Sequence, residues 1–182
     1  MRKSLKFLLL VLCVGFIFTG CGKKKDGDTN TSTKKDDSMK EVVISDDGFG
    51  VTKLKYSKDK DYEVKTEEGG KYTTVIISSK EENFKLELYH FDTFIGTYED
   101  GQDSRSTSDE YKEYKWNGFN GYSYHGDKYS IDMNILLKEN DNKAKALFGT
   151  MSYEDYKSAN VSETFKSKDV QDLLNSITFE EK

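Results

Sequence analysis

The alternation of apolar and polar side chains from Tyr129 to Lys138 restricts the fold of this sequence more than any other feature. The apolar positions are every second residue: Tyr129, Ile131, Met133, Ile135 and Leu137. Because successive side chains of a β-strand point to opposite faces of a sheet, this pattern predicts a strand with one packed and one wetter face. Turn residues at 140–142 lead into a second apolar segment, 144–153. Two such neighbours predict an antiparallel sheet.

Shorter strand signals occupy much of the remaining chain. They lie at 42–44, 51–56, 62–66, 72–78, 84–91, 114–116 and 122–124. The segment Glu67-Glu68-Gly69-Gly70 between two of them is typical of a β-hairpin.

The C-terminal segment changes to a helical period. Ser167 is a suitable N-cap, because its hydroxyl can accept a hydrogen bond from a free N–H of the first turn. The positions i, i+3, i+4 and i+7 are then apolar: Val170, Leu173, Leu174 and Ile177. A short helix is marginal alone and must dock on other elements. The sequence therefore predicts an α+β fold, with a C-terminal helix packed on a mainly antiparallel β-sheet, in a single domain of residues 41–182.

The first 20 residues have a different organisation. Three basic residues precede an apolar segment, 7–18, and small residues lead into Cys21. This order is typical of a secretory signal, and its twelve apolar residues are fewer than the about 20 that a transmembrane helix needs. Phe18-Thr19-Gly20-Cys21 resembles a bacterial lipobox. The resemblance implies removal of residues 1–20, lipidation of Cys21 by acyl chains such as palmitate, and a lipid-anchored position on the extracytoplasmic face of the cell membrane.

Cysteine usage and composition agree with this organisation. The two cysteines are Cys13, within the signal, and Cys21, so residues 41–182 contain no disulfide and no thiolate metal ligand. Residues 21–40 are polar and without periodicity, which predicts a disordered membrane-proximal linker. About 140 residues remain, enough for one ordinary domain.

The charge of the chain restricts its partners. The signal holds three of the 28 basic residues and none of the 33 acidic ones, so the remainder carries a net charge of −8. The linker holds six Lys and four Asp, which leaves −10 on residues 41–182. Nucleic-acid binding depends on Lys and Arg neutralising phosphates, so we expect no nucleic-acid partner.

Residues 96–110 are rich in Asp, Glu, Ser and Gly and predict a long polar loop. Its carboxylates could hold a hard cation. We favour a solvated loop, because no ligand spacing is recognisable, and predict no metal and no cofactor.

The segment 121–126, Gly-Tyr-Ser-Tyr-His-Gly, is close to the G-x-S-x-G motif of hydrolases. A strand rather than a helix follows it, whereas a nucleophile elbow needs a helix there. We therefore interpret Ser123 as structural and His125 as a surface residue, and predict no catalytic residue.

Three aromatic residues are the best candidates for binding: Trp116, Tyr122 and Tyr124. Their rings have flat apolar faces and polar tips, suited to a platform for cell-wall glycan or a protein partner. The alternative interpretation, which we favour, is that they pack the sheet, because aromatic residues are common in strands.

The C-terminal pattern Phe165-x-Ser167-x-x-Val170-x-x-Leu173-Leu174-Asn175-Ser176-Ile177-x-Phe179 resembles the ending of domains with the PsbP-like α/β/α sandwich fold. The resemblance rests on packing positions and implies non-enzymatic binding or assembly roles. It carries over no functional residues.

Together these features predict a membrane-anchored extracytoplasmic lipoprotein that acts as a non-enzymatic binding or scaffolding module of the cell envelope. Two alternatives remain open. One is a cell-wall hydrolase whose site the sequence does not reveal. The other is a small-ligand or cation-binding accessory of a transport system that uses residues 96–110.

Overall fold

The computed structural model describes residues 38–69, 72–154 and 160–182. The predicted signal peptide, Cys21 and all of the predicted linker except residues 38–40 lie outside the described residues.

The strands are β1 (Met39–Asp46), β2 (Gly50–Ser57), β3 (Glu63–Gly69), β4 (Tyr72–Ser79), β5 (Phe84–Phe94), β6 (Lys112–Trp116), β7 (Phe119–Asp127), β8 (Ser130–Asn140), β9 (Lys143–Ser152) and β10 (Thr178–Glu181). The helices are α1 (Ile95–Arg105), α2 (Val161–Phe165) and α3 (Lys168–Asn175). The predicted α+β class, with a mainly antiparallel sheet, is confirmed.

The strands form two antiparallel sheets. The large sheet has the order β3-β4-β5-β9-β8-β7-β6, and the small sheet has the order β1-β2-β10. In the large sheet β3–β5 and β6–β9 are two runs of hairpins, and pairing of β9 with β5 joins them. The predicted hairpin is confirmed by the antiparallel pairing of β3 with β4, although residues 67–69 are part of β3. The alternating strand predicted from Tyr129 is β8, paired with β9.

The main core lies on one face of the large sheet, here called the inner face. Leu88, Met133 and Leu147 are fully buried there, in the same cluster as Leu54 of the small sheet and Phe165 of α2. β1 lies close to β4 and β5, and α2 lies close to β8 and β9. The opposite face of the large sheet, here called the outer face, is crossed by α1.

The β6–β7 hairpin shows how glycine shapes this sheet. Asn117 and Gly118 have φ values of 47° and 91°, as a two-residue hairpin turn requires. A second Asn-Gly pair, Asn120-Gly121, lies within β7 and makes no turn. A Cβ atom on Gly121 would lie 2.7 Å from the ring of Trp116, so the glycine makes room for the indole.

The predicted loop over residues 96–110 is wrong for residues 96–105, which belong to α1, whereas residues 106–110 form turns. Tyr98 is the buried residue of this helix, and its ring lies 5.6 Å from that of Tyr122. A single buried residue among polar ones produces no helical period, so the pattern could not reveal the helix. Docking on the sheet supplies the stability that the local sequence lacks.

The predicted C-terminal helix is confirmed as α3. The Ser167 hydroxyl accepts a hydrogen bond from the Val170 N–H at 3.4 Å. Val170, Leu173 and Leu174 are buried, and the helix packs against β2 of the small sheet. α2 precedes it, and its N-cap Asn160 accepts from the Ser162 N–H at 3.0 Å; the sequence analysis did not identify this five-residue helix.

Leu174→Asp should destabilise the protein by several kcal/mol, because Leu174 is fully buried and a carboxylate transferred from water to an apolar interior is costly. Lys168→Asp, on the exposed first turn of the same helix, is the control and should change stability by about 0.5 kcal/mol or less. Urea unfolding of both variants measures the difference. Equal stability of the two would contradict the docking of α3.

Candidate functional site

The outer face of the large sheet carries two cross-strand rows of different character. The first row crosses β7, β8, β9 and β5 with Tyr124, Asp132, Thr150 and Glu87. The second crosses the same strands with Tyr122, Asn134, Phe148 and Tyr89. Opposite residues of an antiparallel pair are close neighbours on one face. A polar row therefore lies directly beside a mainly aromatic one.

Four rings of this face form a contiguous group, here called the aromatic surface: Tyr72, Tyr89, Phe91 and Phe148. The centroid of Phe148 lies 5.2 Å from that of Phe91 and 5.8 Å from that of Tyr89. Tyr72 lies 6.0 Å from Phe91 and 6.2 Å from Tyr89. Tyr72 is 41% exposed and the other three are half-buried. An apolar surface thus remains open to solvent across β4, β5 and β9.

Asp132 is the polar centre beside the aromatic surface. Its Oδ1 accepts a hydrogen bond from the Thr150 hydroxyl at 2.8 Å. The backbone of Gly126 approaches it so closely that a Cβ there would lie 2.5 Å from Oδ2. Tyr124 stands opposite Asp132 in the strand register, and the guanidinium of Arg105 lies 4.9 Å from the centroid of the Tyr124 ring. α1 thus borders the site through Arg105.

The tyrosines around Asp132 keep their protons. Burial, followed by the charge of Asp132, raises the pKa of Tyr89 and of Tyr124 above the ordinary value. Burial also raises the pKa of Tyr122 to about 12. The hydroxyls therefore stay neutral at physiological pH and can both donate and accept hydrogen bonds.

Asn134 lies in the aromatic row and is 1% exposed. Its Oδ1 is buried and accepts no hydrogen bond from any described residue. A buried acceptor without a donor costs about 1–3 kcal/mol. The Asn134 oxygen, beside the partly exposed aromatic surface, is therefore suited to accept a hydrogen bond from a bound ligand.

The three aromatic residues predicted as a binding platform do not share a face. Trp116 is 1% exposed in the inner core, where its Nε1 donates to Gln171 at 3.0 Å, whereas Tyr122 and Tyr124 lie on the outer face. The three rings therefore form no common platform, and the interpretation that we favoured, that they pack the sheet, holds for Trp116 and Tyr122. The two-residue turn pairs Trp116 with Phe119, and Tyr122, three residues later, must point the other way. That parity could have been read from Asn117-Gly118.

Tyr122 is 3% exposed beneath α1, so of the three predicted residues Tyr124 is the one that reaches the solvent-open part of the face. The four rings of the aromatic surface were not among the residues predicted from the sequence. Tyr89 and Phe91 alternate within β5, Phe148 alternates with buried residues of β9, and Tyr72 begins β4, so no single segment brings the four rings together.

Ser123 and His125 do not form a nucleophile–base pair. Ser123 is 3% exposed and makes a side-chain hydrogen bond with Tyr114. His125 Nε2 instead lies 3.0 Å from the hydroxyl of Ser162, a buried residue of α2. The histidine thereby joins β7 to α2.

A second polar cluster lies at one end of the inner face, between the two sheets. The Lys145 ammonium, on a side chain that is 5% exposed, donates to both carboxylate oxygens of Asp47 at 2.6 and 2.7 Å. His90 lies beside them, with Nδ1 3.6 Å from Asp47. Its Nε2 is 3.2 Å from Asp92 but lacks hydrogen-bond alignment with any described group. Asp47 also accepts from the N–H groups of Phe49 and Gly50. This cluster fastens the β1–β2 turn to the large sheet.

Within residues 38–69, 72–154 and 160–182, no group of three or more His, Cys, Asp or Glu side chains is placed to hold a metal ion. In the same part of the chain, no helix is long and apolar enough to cross a membrane. Comparison with protein-family models, with curated proteins and with solved structures found no match to this chain.

Asp47→Asn should cost about 3 kcal/mol of unfolding free energy, because the amide leaves the ammonium of Lys145 buried without a counter-charge. Lys145→Met should cost about 1 kcal/mol or less, since the Asp47 side chain is 32% exposed and can be solvated. Guanidinium unfolding of the two variants tests this asymmetry. A larger loss in the methionine variant would show that the pair does not hold the turn in this way.

The free energy of unfolding should fall as the pH drops below about 6.5. Burial, followed by the charge of Lys145, lowers the pKa of His90 below its ordinary value of 6.5. The unfolded chain therefore binds the proton first, and acid favours unfolding. The pKa of Asp47 is also lowered: burial opposes the shift, but hydrogen bonds from Lys145 and Phe49 outweigh it. Its contribution should be lost only at lower pH, as its carboxylate protonates. His90→Gln should remove the upper part of this pH dependence, as urea unfolding at several pH values would measure.

Proposed function

We propose that this protein is a lipid-anchored, extracytoplasmic binding module of the cell envelope, without enzymatic activity, and that it binds its partner through the aromatic surface. The partner classes suited to such a surface are cell-wall glycan and envelope protein. Lipidation of Cys21 by acyl chains such as palmitate would hold the domain at the membrane.

The observation that carries the binding role is the contiguous aromatic surface. Soluble proteins seldom leave large apolar groups contiguous and open unless they serve an interaction. Aromatic residues are also enriched where proteins bind partners, because a rigid ring contributes much contact area. The polar row next to it supplies the few oriented polar groups that give a binding site its specificity.

Anchoring is supported by the sequence at the N-terminus. Three basic residues, an apolar segment of twelve residues and Cys21 follow one another in the order of a lipoprotein signal. Each buried CH₂ of an acyl chain contributes about 0.8 kcal/mol, so two chains give lasting attachment.

We also propose that the fold belongs to the PsbP-like α/β/α sandwich class. The C-terminal pattern from Phe165 to Phe179 supports this proposal. So does the presence of helices on both sides of the large sheet, with α1 on the outer face and α2 on the inner face.

A second candidate function, as a small-ligand accessory of a transport system, is favoured by one observation. A cavity of about 80 Å³ opens between the two sheets, and its walls include Phe49, Phe179 and Lys143. The aromatic surface combines four contiguous rings with a polar row in register beside them, so we favour it as the binding site.

Replacing Cys21 tests the anchor. The full chain expressed in bacteria should incorporate labelled palmitate and partition with membranes, whereas Cys21→Ser should do neither. Cys13→Ser is the matched control and should behave as the parent chain. Palmitate labelling that persists in Cys21→Ser would overturn the anchoring proposal.

Site-specific photo-crosslinking on intact cells tests the binding surface. A photoreactive residue in place of Tyr72 should form an adduct with an envelope component. The same residue in place of Tyr129, which is 45% exposed in the β7–β8 turn, is the control and should not. Equal adducts at both positions, or none at Tyr72, would contradict binding through the aromatic surface.

A further inference from the structure

We propose that the aromatic surface and Asp132 together bind a neutral oligosaccharide. This inference rests on the proposed binding function and names its ligand class. A sugar ring has an apolar face of C–H groups and an edge of hydroxyls. The outer face of the large sheet presents matching chemistry, with aromatic rings in one row and oxygen atoms in the next.

The rings supply the apolar half of the site. Phe148 and Tyr89 are nearly parallel, with planes 16° apart and centroids 5.8 Å apart. Tyr72 extends the group toward the β3 edge of the sheet. A surface built from rings on three strands is elongated across the sheet, so it suits several linked sugar units better than one.

The polar half is rich in acceptors, which suits a ligand rich in hydroxyl donors. A carboxylate has about four lone-pair sites, and the Thr150 hydroxyl occupies one of those on Asp132. Glu87 lies in the same row and is paired with Lys85. Tyr89 and Tyr124 add neutral hydroxyls near Asp132. Each of these groups can receive a hydrogen bond from a sugar.

Asn134 adds an acceptor that no described residue satisfies. It lies two residues after Asp132 in β8, on the same face of the sheet. Its amide makes a side-chain hydrogen bond with Tyr124, which leaves the carbonyl oxygen as the group that a ligand hydroxyl would satisfy. Binding would then offset the cost of a buried acceptor without a donor.

Charge favours an uncharged glycan. Residues 41–182 carry a net charge of −10, and the carboxylates of Asp132 and Glu87 lie within the polar row. A polyanion would meet like charges on approach. An uncharged chain of sugars avoids this repulsion and still uses the carboxylates as acceptors.

Calorimetric titration of the full chain tests the inference. The protein is purified from membranes in a polyoxyethylene detergent, because sugar-based detergents would compete. The probes are the uncharged tetramer of β-1,4-linked N-acetylglucosamine and cellotetraose, with tetragalacturonate as the anionic comparison. We expect saturable binding of at least one neutral probe and at least tenfold weaker binding of the anionic one.

Matched variants locate the binding. Phe148→Ala and Asp132→Asn should each weaken binding about tenfold, the equivalent of about 1.4 kcal/mol, and Tyr129→Ala should leave it unchanged. Tyr72→Ala repeats the test at an exposed ring, where loss of folding is not expected. Asn134→Leu should weaken binding and change the thermal midpoint little, because loss of the hydrogen bond to Tyr124 is offset by removal of an unsatisfied acceptor. A purely structural asparagine would give the reverse.

Each outcome separates the two levels of the proposal. If neither neutral probe binds at about 10 mM, any affinity for it is weaker than millimolar. That result, together with a protein adduct at Tyr72, would overturn the glycan ligand and leave the proposed binding surface unchanged. No binding and no adduct would overturn both. Equal binding of the anionic probe, or binding unaffected by Phe148→Ala and Tyr72→Ala, would overturn the neutral-glycan site.

Discussion

The structure depends on the pleat of the seven-stranded sheet, which sends successive side chains to opposite faces. On β8, Met133 points into the inner core while its neighbours Asp132 and Asn134 point outward. The inner face is closed by the small sheet and by α2. The outer face is crossed by α1 and otherwise carries the aromatic surface and its polar row. Alternate residues of the same strands thus form the core, which stabilises the fold, and the candidate binding site.

A buried ion pair joins the two sheets at one end. Lys145 extends from β9 of the large sheet, and Asp47 lies in the turn between β1 and β2 of the small sheet. The pair is asymmetric, because the ammonium is almost wholly buried and the carboxylate is a third exposed. Removal of the Asp47 charge therefore leaves a buried ammonium unpaired, whereas removal of the Lys145 charge leaves a carboxylate that water can reach. A cluster of this kind contributes to the position of the turn more than to net stability.

Sequence reasoning succeeded where local signals and the tertiary structure agree. The alternation in β8 and the capped period of α3 are strong patterns, and both elements formed as predicted. It failed at α1, where one buried tyrosine on a polar segment leaves no period to detect. It correctly favoured packing for Trp116 but could not assign its face, because aromatic content alone does not say which face of a sheet a ring will occupy. Strand parity across the β6–β7 turn decides that question.

The sequence by itself determined the α+β class, most strands and the C-terminal helix, because each is encoded in spacing along one segment. The prediction of a lipoprotein signal likewise rests on the order of residues along one segment, the N-terminal one. Only the tertiary structure decided which rings meet. Tyr72 and Phe91 lie on the consecutive strands β4 and β5, whereas Phe148 lies on β9, far along the chain, and pairing of β9 with β5 brings it to them. Long-range strand pairing is not encoded in any single segment, so the candidate site could emerge only with the fold.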